Sequence, residues 1–214
     1  MTTTSSRTSV TTDDAGSGPG PRRFGKGGNR SRALGALASV FSVVAFTVLA
    51  TAPAHASVYN TAIRNVTTRK CVDLPGFGAP GLQPVTQYKC RPGTGDNQMF
   101  DLVNGVDGFL IRSVKSPGLC LDFPNFGAPT SADKVSLYYC RNTTADNQLW
   151  KSRWNSAHTA FQLISAKTYS SGSSRRGMCL DVDGFAWAVN DLRLGAYPCS
   201  TSLRDDHWWT FFRG

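Results

Sequence analysis

Side chains with binding or reactive potential stand at the same spaced positions in three stretches of this sequence. Asp73, Asp122 and Asp181 each end a Cys-x-Asp triplet. Tyr88, Tyr138 and Tyr197 each stand two residues before a second cysteine. Seven residues beyond that cysteine lie Asn97, Asn147 and Asp206, followed by Gln98, Gln148 and His207. A carboxylate accepts strong, charge-assisted hydrogen bonds. A primary amide donates and accepts at the same time. A tyrosine ring presents a flat apolar face while its hydroxyl stays in water. These are tools for reversible binding.

Catalysis asks for other residues. Glycoside hydrolysis generally uses two facing carboxylates. All 14 acidic residues here are Asp, with no Glu. His158 and His207, the histidines downstream of Ser57, fall in no triad-like constellation. The sequence has neither a glycine-rich phosphate loop nor an H-E-x-x-H motif. No catalytic residue is assigned, and a non-enzymatic role is expected.

The spacing defines an internal repeat of about 50 residues, which must be read before any single motif. First and second cysteines are separated by 19, 20 and 20 residues. All six cysteines fall in these repeats, two in each, as in a disulfide-stabilised exported chain. Repeat symmetry selects the pairs Cys71–Cys90, Cys120–Cys140 and Cys179–Cys199. Loops of this length stabilise by roughly 3 kcal/mol each in the chain-entropy description. A cysteine-based zinc site fails on spacing, since no C-x-x-C or H-x-x-x-H occurs. Neither a metal nor a cofactor is expected.

Ahead of the repeats, residues 1–32 are rich in Thr, Ser, Gly, Pro and Arg and cannot bury enough apolar surface to fold. Ala33 to Ala52 then run without a charge behind a basic flank, and Ala54-His55-Ala56 follows as a small-x-small cleavage signature. Residues 1–56 are read as a secretion signal with a long basic n-region, cut after Ala56. The alternative is a membrane anchor formed by residues 33–52. Residues 57–214 carry 17 basic and 12 acidic side chains, a net charge of +5. With no basic cluster interleaved with aromatics, nucleic acid is not an expected partner. A secreted monomer without membrane contact after cleavage is expected.

Four short strand candidates appear in each repeat, punctuated by Gly, Pro, Asn and Asp turns. The repeats span about 57–103, 104–154 and 155–214, the last lengthened by a Ser/Gly/Arg loop from Lys167 to Gly177. Twelve strands in three equal units predict a closed all-β body, because closure removes exposed sheet edges. Phe100, Trp150 and Trp209, at the end of each motif, are expected in its core.

Cys-x-Asp, the tyrosine two residues before the second cysteine, and Asn-Gln-x-Trp together resemble the ricin-type β-trefoil lectins, over Val58 to about Phe212. The resemblance implies a β-trefoil that binds carbohydrate in shallow pockets, at most one per repeat. It implies sugar-binding roles for Asp73, Tyr88, Asn97 and Gln98, for Asp122, Tyr138, Asn147 and Gln148, and more weakly for Asp181 and Tyr197. Repeat 3 departs from the pattern through Asp206 and His207. The Gln that family members with a galactose site often carry four residues before the second cysteine is replaced by Thr86, Ser136 and Gly195. Three points stay open on sequence alone. The Gln side chains either meet sugar or bond backbone. The Asp side chains either face solvent at the pocket mouth or cap turns. Phe77 and Phe126 either rim the pocket or pin their loops. A trefoil used for protein contact or inhibition, without sugar binding, is the competing functional reading.

Overall fold

The computed structural model describes residues 57–213 apart from 92, 94, 173–176 and 186. The proposed signal and anchor segments lie outside these residues. Among the described residues no helix is long and apolar enough to cross a membrane.

Among the described residues twelve strands form, four per repeat. Repeat 1 holds β1 (Val58–Asn65), β2 (Lys70–Asp73), β3 (Thr86–Lys89) and β4 (Phe100–Gly105). Repeat 2 holds β5 (Gly108–Ser113), β6 (Leu119–Asp122), β7 (Ser136–Tyr139) and β8 (Trp150–Trp154). Repeat 3 holds β9 (Phe161–Ser165), β10 (Met178–Val182), β11 (Leu194–Pro198) and β12 (Trp209–Phe212). A 3-10 turn, Ala166–Thr168, follows β9.

The outer strands of each repeat close into a six-stranded antiparallel barrel. The pairs run β1·β4, β4·β5, β5·β8, β8·β9, β9·β12 and β12·β1, so no barrel strand keeps a free edge. The inner strands form three hairpins, β2·β3, β6·β7 and β10·β11. Each hairpin hangs from the barrel by one bridge at its first cysteine: Arg64 with Cys71, Arg112 with Cys120, Ile164 with Cys179. This is the expected β-trefoil.

The hairpins are joined to one another in a cycle. Val85 N–H donates to Val135 O (3.1 Å), Val135 N–H to Leu194 O (2.8 Å), and Leu194 N–H back to Val85 O (3.0 Å). All three residues are fully buried. Two residues further on, Gln87, Leu137 and Ala196 repeat the cycle with Leu192, Gln83 and Asp133.

The core lies beneath this cap. Phe100, Trp150 and Trp209 are each 0% exposed, as expected. The indoles also bond the strand that carries the Asp, Trp150 Nε1 donating to Leu121 O (3.4 Å) and Trp209 Nε1 to Leu180 O (3.0 Å). The three cystines form within their own repeats, Cys71–Cys90, Cys120–Cys140 and Cys179–Cys199. Replacing Trp150 by Ala should cost about 3–5 kcal/mol, the usual range for emptying a large core site. Urea unfolding followed by circular dichroism measures it; a loss below about 1 kcal/mol would contradict this account of the core.

Candidate functional site

Strand register sets up each cleft. Asp73 pairs with Thr86, and two positions along Cys71 pairs with Tyr88. The same register places Asp122 opposite Ser136 and Cys120 opposite Tyr138. It places Asp181 opposite Gly195 and Cys179 opposite Tyr197. Residues two apart on a strand share a face, so Asp and Tyr look into one cleft. The cystine at the far end of the hairpin holds them there.

The cleft of repeat 2 is lined by Asp122, Phe126, Ser136, Tyr138, Arg141 and Asp146, among others. That of repeat 1 is lined by their counterparts Asp73, Phe77, Tyr88, Arg91 and Asp96, and by Asp191 from repeat 3. The cleft of repeat 3 gathers Asp181, Phe185, Tyr197 and Asp205, and takes Lys134 from repeat 2. Cavity volumes are about 160, 380 and 390 Å³ for repeats 1, 2 and 3, so the altered motif of repeat 3 has not closed its cleft.

The aspartates lie deeper than the sequence reading placed them. Asp122 was expected to face solvent at the mouth, yet it is only 8% exposed and forms the floor, as does Asp73 at 6%. The register turns both side chains toward the enclosed side of the hairpin. Burial drives the Asp122 carboxyl up to about 7, aided by the nearby Asp146 carboxylate and opposed by Gln148 and Arg141. Asp73 is raised for the same first reason, with Gln98 holding it back.

The amides stand behind the carboxylates. Gln98 is 0% exposed; its Nε2 donates to Asp73 Oδ1 (2.9 Å) and Lys89 O (3.0 Å), and its Oε1 accepts from Arg91 N–H (2.7 Å). Gln148, also 0% exposed, bonds Tyr139 O (2.9 Å) and Arg141 N–H (2.8 Å). Of the two roles the sequence left open for these glutamines, the structure shows the bonds to backbone, and for Gln98 one to the floor carboxylate as well. Asn97 and Asn147 are 2% and 1% exposed; their Nδ2 groups bond backbone, while their Oδ1 atoms have no hydrogen-bond partner. Asn97 Nδ2 donates to Gly76 O, and Asn147 Nδ2 donates to Asn125 O (2.8 Å). Those carbonyls immediately precede Phe77 and Phe126. Lys115 and Lys167 bond the carbonyls of the two phenylalanines from the other side. The loops are pinned through their backbones, and the rings of Phe77 and Phe126 stay 69% and 64% exposed at the rim.

Two positions escaped the sequence reading. Arg91 and Arg141 follow the second cysteine directly and lie over the tyrosine rings, 5.0 Å from the Tyr88 centroid and 5.6 Å from that of Tyr138. Asp96, Asp146 and Asp205 precede the Asn position in every repeat and line the three clefts. Their threefold recurrence was the available signal.

Repeat 3 keeps the architecture with different atoms. His207, 0% exposed, holds Nε2 3.0 Å from Ser200 N and 3.2 Å from Ser200 O, so it accepts from the N–H when Nε2 is bare and donates to the carbonyl when Nε2 is protonated. Its Nδ1 faces Asp181 and Asp205. Burial alone would lower the imidazole's affinity for protons; Asp181, Asp205 and the Ser200 carbonyl outweigh it and leave the pKa raised.

The family model for the ricin-type beta-trefoil lectin domain matches residues 59–208. The chain belongs to the ricin-type β-trefoil lectin family. No curated protein matches it. Among solved structures, the designed threefold-symmetric protein ThreeFoil is 20% identical with a TM-score of 0.56, over 71% of this chain and 96% of that one. The ricin B-like lectin of Macrolepiota procera, solved in complex with lactose, is 18% identical with a TM-score of 0.55, over 75% of this chain and 100% of its own. The exo-beta-1,3-galactanase 1,3Gal43A of Clostridium thermocellum is 14% identical with a TM-score of 0.56, over 73% of this chain but 30% of that one. At these identities the likeness shows the fold. In this ricin-type trefoil, the residue facing the cleft Asp is short or absent in each repeat. A Cβ on Gly195 would lie 2.9 Å from Asp133 O, so backbone from repeat 2 occupies the space of any side chain there.

The raised Asp122 carboxyl has a consequence for stability. A folded pKa of about 7 against the ordinary carboxyl value of 3.8 means the folded chain retains a proton that the unfolded chain has released. That contribution is complete below pH 3.8 and is lost as pH rises toward 7. Asp122→Asn should therefore raise the thermal midpoint at pH 8 by at least about 2 °C, roughly the shift for 1 kcal/mol in a domain of this size. At pH 4 the difference should vanish. Thermal melts at the two pH values check it, and an unchanged midpoint at pH 8 would contradict a buried, destabilised carboxylate.

Proposed function

We propose that this ricin-type trefoil is a non-catalytic, exported carbohydrate-binding protein that holds sugar in the clefts of repeats 1 and 2. The observation that carries the reading is the pairing of a carboxylate floor with an aromatic wall. Asp122 lies at the base of its cleft while the Tyr138 and Phe126 rings stand 38% and 64% exposed at the rim. A carboxylate accepts from two adjacent hydroxyls. An aromatic face covers the apolar C–H face of a pyranose. Asp73, Tyr88 and Phe77 supply the same set in repeat 1. Gln98, Gln148, Asn97 and Asn147 act by holding the carboxylate and the aromatic loop in place. Asp181 and Tyr197 offer a weaker third position, where His207 and Asp206 replace the amides. The lactose complex of the Macrolepiota lectin supports sugar as the class of ligand.

Each cleft makes few contacts, so single-site affinity is expected near 1 mM, or about −4.1 kcal/mol. Two sites on one rigid body gain roughly 10²–10⁴ in avidity on a polymer whose sugar spacing fits. A monomer suffices for this. In affinity electrophoresis on polysaccharide gels, Asp73→Ala and Asp122→Ala should each reduce retardation, and the double variant should lose most of it. Asp181→Ala should change little. A folded double variant that migrates as wild type does on a retarding gel would refute the assignment and leave the protein-contact reading. Binding at repeat 2 should also weaken as pH falls below about 7, because the protonated Asp122 accepts less well. Titration of the Asp73→Ala variant with the retained sugar at pH 5 and pH 8 measures this directly.

The three cystines fit an oxidising compartment. We take residues 1–56 as a signal removed on export and residues 57–214 as the mature trefoil. Intact-mass measurement of secreted protein should find Ser57 at the N-terminus; recovery only in membranes with all 56 residues attached would sink this.

A further inference from the structure

Besides Gly195 and Asp206, the cleft of repeat 3 differs from its sisters at two positions that bear on charge. The arginine that lies over the tyrosine in repeats 1 and 2 is Ser200 here, and the amide behind the carboxylate is His207. The first change removes a guanidinium from beside the Asp pair; in repeat 2, Arg141 Nη1 lies 3.6 Å from Asp146 Oδ2. The second brings in a metal-ligating nitrogen. His207 Nδ1 lies 3.6 Å from Asp181 Oδ1 and 3.5 Å from Asp205 Oδ1. One donor atom from each of the three residues lies within 4.8 Å of the others.

The imidazole is 0% exposed, and its Nδ1 is buried without a hydrogen-bond partner, as is Asp181 Oδ1. A separation of 3.5–3.6 Å is too long for a hydrogen bond. It matches the spacing of adjacent ligand atoms in a tetrahedral zinc site, roughly 3.3–3.6 Å for bonds of about 2.0–2.2 Å. The other ring nitrogen is supported as a metal-bound imidazole requires, since Nε2 lies 3.2 Å from Ser200 O and can donate to it. Asp183 and Asp206 also line the cleft, against Lys134, so the field favours a cation. Lys134 itself pairs with Asp183 at 2.8 Å.

We propose that Asp181, Asp205 and His207 bind a divalent transition-metal ion of the zinc class. One nitrogen and two carboxylate oxygens suit a borderline ion better than calcium or magnesium, which take oxygen donors. Three protein ligands leave a coordination position open toward the cleft, for water or a ligand oxygen. Zinc-finger spacing cannot reveal such a site, because its donors come from β10 and from a turn more than 20 residues later. The proposal does not depend on sugar binding, and its test uses no sugar.

The test is calorimetric titration of zinc chloride into tag-free, chelator-treated protein at pH 8. Wild type should take up one equivalent. His207→Gln restores the residue that repeats 1 and 2 carry, and so should keep the wild-type melting temperature. Asp205→Asn keeps an oxygen to accept from Asp206 N–H, a bond of 3.1 Å. Each variant should bind zinc at least tenfold more weakly, the lower end of what is lost even when a supporting residue is removed. No uptake by wild type, or wild-type affinity in either folded variant, would overturn the assignment.

Discussion

Three main-chain hydrogen bonds at the centre of the hairpin cap hold the rest in place: Val85 to Val135, Val135 to Leu194 and Leu194 to Val85. A two-stranded hairpin is marginal in water on its own. Here each hairpin has one barrel bridge, one cystine and its two neighbours in the cycle. Thr86, Ser136 and Gly195, one residue past the cycle, pair with Asp73, Asp122 and Asp181. The position of each carboxylate is thus inherited from a contact between backbones. Because the cycle uses no side-chain atoms, the clefts can change chemistry without disturbing it.

The fold was legible because the repeat states the same structural demand three times. Cysteine spacing gave the pairing, and Trp150 and Trp209 at matched positions marked the core. Strand ends were less legible: β1 starts at Val58, ahead of the apolar Ala62-Ile63, because pairing across the barrel extends a strand beyond its apolar run. Site detail was less legible. Sequence names an amide but not where its donors point. Gln98 and Gln148 turn inward because backbone groups at Lys89, Arg91, Tyr139 and Arg141 would otherwise lack those partners. The depth of Asp122 depends on which way the hairpin folds over the core, which spacing leaves undetermined. Phe77 and Phe126 posed an either-or that dissolved, since Asn and Lys side chains pin the loop backbone and free the rings.

The family match and the local chemistry answer different questions. Fold likeness at 20% identity or less establishes the trefoil, and a trefoil occurs both in a lectin solved alone and within a longer galactanase. What this chain does must therefore be argued from its clefts. The short residues opposite the aspartates remove a polar reach that the family's galactose sites often have. On the sugar-binding reading proposed above, the floor carboxylate and the rim rings then become the main recognition elements.

Each repeat must reconcile a buried carboxylate with the cost of removing charge from water. Repeat 1 gives Asp73 an amide hydrogen bond and keeps Arg91 nearby. Repeat 2 gathers Gln148 and Arg141 but also sets Asp146 close, and Asp122 responds by holding its proton to about pH 7. Repeat 3 has Ser200 in place of the arginine and, in place of the amide, an imidazole that can itself take charge and whose pKa Asp181 and Asp205 help to raise. The unmet charge of Asp181 and Asp205 then has two ways to be neutralised, a proton on His207 or a cation shared with it. These compete for the same nitrogen, because a metal binds the neutral ring. With Ser200 in the place of the arginine and His207 in that of the glutamine, this cleft sets an imidazole nitrogen against two carboxylates where its sisters set an amide. The backbone cycle above it stays as it is in the other two.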